Sequence, residues 1–101
     1  MDAAIEQAEQ VGEFVHLFNS QEYFEAHEVL EDLWVIEVEP FKSYYKGLIQ
    51  VAVALCHWHR GNVSGALKLW NSGTAYVAPF PAVVDGLRSG DLIDGLAPCF
   101  E

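Results

Sequence analysis

The stretch "YYKGLIQVAVALCHWHR", Tyr44–Arg60, decides the fold. Its apolar residues cover most of a helical circumference, as expected of a helix in the middle of a bundle. The run "LIQVAVAL" partly alternates and is rich in β-branched residues, which would suit a strand. Length, the two alanines and the flanks favour helix, with Gly47 as a local weakness. The helix is predicted from about Phe41 to Arg60, with Pro40 closing the preceding element or opening this one.

Working outward, Ile5, Ala8, Val11, Val15 and Phe18 recur every three or four positions and predict a first helix with one buried stripe. Asn19 or Ser20 ends it, and Ser20 is the expected N-cap of a second helix from about Gln21 to Ile36. Its core face centres on Ala26, Leu30, Leu33 and Trp34. After the Gly61-Asn62 turn, Ala66, Leu67, Leu69, Trp70, Thr74 and Val77 predict a fourth helix ending before Pro79. The tail holds three prolines and three glycines, and a short helix is expected there around Ala82–Arg88, followed by another turn. The expectation is a compact all-α bundle of four main helices plus a short C-terminal helix, forming one domain over residues 1–101.

Composition narrows the function. A chain of 101 residues suits one domain and buries roughly 60–68% of its unfolded surface, too little for separate substrate and cofactor domains. A hydrophobic fraction of 51% argues against disorder. Residues 1–41 hold eleven acids and no Lys or Arg, within a net charge of −10. Such a surface repels phosphate backbones and anionic lipid, so neither nucleic acid nor a membrane is an expected partner. The N-terminus has no basic segment followed by an apolar one, and the longest apolar run is far too short to span a bilayer. A soluble cytoplasmic protein is the expectation. Cys56 and Cys99 do not make a disulfide framework, and Cys56 reads as a core thiol.

The chemistry-bearing stretch is "NSQEYFEAHEVLEDLW", Asn19–Trp34. His27 and Glu31, at i and i+4, share one helix edge, and Glu28 points further round. In the next helix Lys46, Gln50 and His57 lie within about 40° of one another. Buried polar groups need partners, so the two stripes are expected to face each other as a network of His27, Glu28, Glu31, Lys46, Gln50 and His57. In one reading Glu31 and Lys46 form an interhelical ion pair that sets helix register. In a sharper one, His27, Glu31 and His57 hold a divalent transition metal whose bound water is a nucleophile. Lys46 would repel that cation, and the pattern lacks the second histidine of H-E-x-x-H. Glu28 or Glu31 would serve as a general base if desolvated. His16 reads as a surface residue, and "GNVSG" is too short for a phosphate loop.

Around these residues the chain resembles the small family called domain of unknown function 309. The resemblance rests on "FNSQEYFEAHEVLEDLW" and "YYKGLIQVAVALCHWHRGNVSGALKL" and covers about Val15 to Val77. It implies a compact all-helical fold. Its signature positions correspond here to His27, Glu28, Glu31, Lys46, Gly47, Gln50 and His57, with Tyr23, Phe24, Trp34, Gly61, Asn62 and Ala66. It implies no activity. The segment Val53–Leu69 is also similar to one tetratricopeptide-type hairpin, and no further repeats are seen that would make an array. Two functions follow as expectations: a structural or protein-interaction module, as a homodimer or with another protein, and alternatively a metal-dependent hydrolase or other small enzyme using His27, Glu31 and His57.

Overall fold

Why does Phe41–His59 fold as a helix and not a strand? Tyr44, Leu48, Val51 and Leu55 share one side of it, and Tyr45 and Ala52 another, and all six are buried. Only a helical period distributes them this way. In the computed structural model, which describes residues 3–81, 84 and 87–100 and the side chains of these save 3–8 and 99, this element is α3. Before it come α1 (Ala3–Asn19) and α2 (Tyr23–Ile36), and after it α4 (Val63–Val77), α5 (Ser89–Leu96) and a 3-10 turn, Ala97–Phe100. The protein is all-α, with four main helices and a short C-terminal one, as the sequence leads one to expect. Among the described residues no helix is long and apolar enough to cross a membrane.

Each main helix packs chiefly on its neighbours in sequence, α1 on α2, α2 on α3 and α3 on α4. The resulting stack is elongated, 42 × 26 × 21 Å. The core is built from Phe14, Phe18, Ala26, Leu30, Leu33, Tyr44, Tyr45, Leu48 and Leu55, with Val77 and Leu87 at its edge. On α1 the buried stripe is Val11, Phe14 and Phe18, while Val15 is exposed, so Phe14 takes the place expected for Val15.

The α1–α2 and α3–α4 connections are built alike. At the end of α1, Gln21 N–H donates to Phe18 O (3.0 Å) and Glu22 N–H to Leu17 O (2.9 Å). At the end of α3, Gly61 N–H donates to Trp58 O (3.1 Å) and Asn62 N–H to His57 O (2.9 Å). Both are Schellman closures with a left-handed residue, Gln21 at φ 63° and Gly61 at φ 82°. Positions 21 and 61 are forty apart, and so are the fully buried Ala26 and Ala66 on the helices that follow. The chain therefore holds two like hairpins, where the sequence suggested one. Ser20 is not the N-cap of α2, because the closure carries the chain on to Glu22, which occupies the cap without a side-chain hydrogen bond. At α4 the cap is Asn62, whose side chain accepts from Gly65 N–H at 3.1 Å.

The α3–α4 crossing brings backbone against backbone. A Cβ at Gly47 would lie 2.7 Å from Gly73 O and 2.8 Å from Tyr76 Cβ, and one at Gly73 would lie 2.7 Å from Gly47 O. Glycine is required there by the closeness of the helices. The start of α3 is held by Glu39, whose carboxylate accepts from Ser43 Oγ (2.8 Å) and Ser43 N–H (3.3 Å).

Of the short helix expected at Ala82–Arg88, Ala82, Val83, Asp85 and Gly86 lie outside the described residues. Val84 and Leu87 exchange backbone hydrogen bonds, and the helix that follows begins at Ser89. The C-terminal segment lies across the stack. Tyr44 Oη donates to the buried Ser89 Oγ at 2.8 Å, and the Phe100 ring stacks on Trp70 with centroids 4.4 Å apart.

The hairpins differ in charge. From Pro40 to Val84 there is no acidic residue, and Lys42, Lys46, Arg60 and Lys68 all fall there. The first hairpin carries acids without Lys or Arg, and the second carries Lys and Arg without acids.

Candidate functional site

The helical period brings His27 and Glu31 together one turn apart on α2. His27 Nε2 lies 3.1 Å from Glu31 Oε1, with the His27 side chain 15% exposed and Glu31 54% exposed. His27 Nδ1 faces Phe24 O, one turn back, and its ring meets Phe24 edge-on at 4.9 Å. Both ring nitrogens therefore face oxygen, an arrangement in which a neutral ring, with one N–H, donates to only one of them. Glu28 is exposed.

The α3 stripe has other partners. Lys46 Nζ sits over the Tyr76 ring of α4, 5.0 Å from its centre. Gln50 lies beside Gly73 of α4, and its Oε1 is buried without a hydrogen-bond partner. His57 Nδ1 is 3.1 Å from Asn62 Nδ2 at the cap of α4. When that amide donates, the imidazole proton is on Nε2, and His57 buttresses the residue that caps α4. The polar stripe thus runs along the α4 side of α3, and α2 meets α3 through other groups. Lys42 lies over Trp34 at 4.5 Å, and His59 stacks on Tyr23 at 5.4 Å.

The expected six-residue network is therefore two separate sets, His27 with Glu31 on α2, and Lys46, Gln50 and His57 toward α4. The Glu31–Lys46 ion pair is absent among the described residues, because the Lys46 ammonium is committed to Tyr76. His57 does not join His27 and Glu31, and no three His, Cys, Asp or Glu among the described residues are grouped to hold a metal.

Cys56 is a free, partly exposed thiol at the α2–α3 seam, and not the core residue expected. Burial still pushes its pKa up, Arg60 opposes this, and Glu25 adds to it. It borders a shallow hollow with Tyr23, Glu25, His59 and Arg60.

Surface features that sequence reasoning passed over lie at the far end of α2. Val35, Ile36 and Val38 are 65%, 71% and 71% exposed. Val35 and Ile36 form one wall of a shallow groove of about 590 Å3, with Asp32 beside them and Glu9, Gln10 and Glu13 of α1 opposite. The signal was present in "VIEVE", Val35–Glu39, where aliphatics and acids crowd the end of a helix.

The fold defines a class: an all-helical protein built as two stacked, like hairpins with a C-terminal segment laid across them. The chain belongs to the family described as Domain of unknown function (DUF309), whose profile matches residues 11–69. It is 39% identical over 90 residues to the uncharacterized protein YpuF of Bacillus subtilis, covering 86% of this chain and 52% of the relative. It is 29% identical over 87 residues to an uncharacterized protein of Aquifex aeolicus, covering 85% of this chain and 26% of that relative. The chain thus spans about half the length of the first relative and about a quarter of the second.

Proposed function

We propose that residues 1–101 act as a single helical protein-interaction module that engages its partner through the end of α2. The observation that supports this reading is the exposure of Val35, Ile36 and Val38, about two-thirds or more each, with Val35 and Ile36 lining one groove. Isolated exposed aliphatics are ordinary, but a contiguous group bordering a groove is what association surfaces present. Burying such side chains against a partner contributes about 1.5–3 kcal/mol for each one fully covered. His27 and Glu31 stiffen α2 in this reading, and His57 secures the turn into α4.

A photo-crosslinking residue at position 36, in cells producing the protein, tests it. A protein adduct is expected at 36, lost on Val35→Ser/Val38→Ser, and absent when the crosslinker replaces Ser64 on α4. Equal adducts at 36 and 64, or none at 36, would count against the reading.

A further inference from the structure

The groove beside that aliphatic surface has a charge pattern that specifies its occupant. Glu9 and Glu13 stand one turn apart on α1, and Asp32 lies on the α2 side. Like charges at i and i+4 disfavour the helix that carries them. None of the three carboxylates has an ion-pair partner among the described residues. No Lys or Arg precedes position 42, and Lys42 and Lys46 are engaged by Trp34 and Tyr76. The groove is thus an aliphatic wall, Val35 and Ile36, framed by three unneutralised acids.

We infer that this groove receives a cationic amphipathic helix of a partner protein. Its aliphatic stripe rests on Val35 and Ile36. Lys or Arg side chains one turn apart reach Glu9 and Glu13, and one on the other flank of the stripe reaches Asp32. A helix repeats its side chains at the spacing that separates Glu9 from Glu13, so one rigid segment meets both. An acidic helix, a nucleic acid or an anionic bilayer is repelled by the same three carboxylates. The inference rests on the protein-interaction reading above and names the chemistry of the partner.

The test uses a fluorescein-labelled amphipathic Lys/Leu helix and a Glu/Leu helix with the same apolar face, followed by anisotropy. The Lys/Leu peptide is expected to bind and the Glu/Leu peptide not to. Affinity should fall about tenfold in Val35→Ser/Ile36→Ser. It should fall about as much in Glu9→Gln/Glu13→Gln, and stay within about twofold in the charge-matched Glu22→Gln/Glu25→Gln. All the altered side chains described here are at the surface, and a thermal melt of each variant checks that it folds.

Four results would overturn the inference: no binding, equal losses in the two Glu→Gln pairs, equal binding of the Glu/Leu peptide, or self-association abolished by the groove variants, which would make a second copy the occupant. The two readings fail separately. If the patch-dependent adduct at position 36 forms but the Lys/Leu peptide does not compete with it, the cationic helix is wrong and the interaction surface stands. If no such adduct forms, both fall.

Discussion

Gln21 holds a left-handed backbone at φ 63°, while its counterpart forty residues on is a glycine at φ 82°. That conformation costs an L-residue about 1–2 kcal/mol. Glycine avoids the cost but loses roughly 0.5–1 kcal/mol more chain entropy on folding. Gln21→Gly is therefore expected to stabilise the protein by about 0.5–1 kcal/mol, raising Tm by roughly 2–8 °C, measured by thermal melting. Cys56 gives a pH-dependent readout. Burial raises its pKa, so the folded chain holds less thiolate than an unfolded one at the same pH. The neutral thiol is compatible with the fold below the ordinary thiol pKa, and the associated stability is lost as pH rises through the raised value. In a Cys99→Ser background, the alkylation midpoint of Cys56 should lie above that of the urea-unfolded chain. Arg60→Gln should move it higher still, because the guanidinium pulls the other way. At this scale the sequence was informative about His27 and Glu31, whose i, i+4 spacing alone sets their contact. It was silent on Gln21, because nothing in a glutamine announces a left-handed turn.

Among the elements, α3 was legible because a helix apolar on most sides has few places to sit. Its neighbours were not. A helical period tells which residues share a face and says nothing of which helix that face meets, so the neighbours of Lys46, Gln50 and His57 on α4 and its cap, Tyr76, Gly73 and Asn62, could not be read from spacing. Gly47 and Gly73 are similar. Each alone reads as a weak point in a helix, and only the crossing shows that they are paired. Gly47→Ala should therefore destabilise by about 1–3 kcal/mol through overpacking, although alanine is favoured over glycine in a free helix by about 1 kcal/mol. Urea unfolding measures this, and an unchanged midpoint would place the helices further apart than described. The like hairpins escaped notice because their relation lies in backbone closure and in few shared side chains, such as Ala26 and Ala66.

For the whole molecule, the four main helices were legible from periodicity, while the C-terminal helix at Ser89–Leu96 begins just past the range that the broken tail suggested. Prolines and glycines mark where a tail breaks but not where it resumes. The exposed end of α2 was hidden for another reason: an aliphatic residue looks the same in sequence whether a core or a partner covers it. The separation of charge between hairpins has a consequence of a different kind. Eleven acids and no Lys or Arg precede Pro40, while Lys42, Lys46, Arg60 and Lys68 follow it with no acid before Asp85, so the net negative charge is concentrated on the first hairpin. Under the cationic-helix proposal, that charge would draw the approaching segment toward the acidic hairpin before any surfaces touch, and the encounter rate would fall as ionic strength rises. The first hairpin would then act as an antenna as well as a docking face.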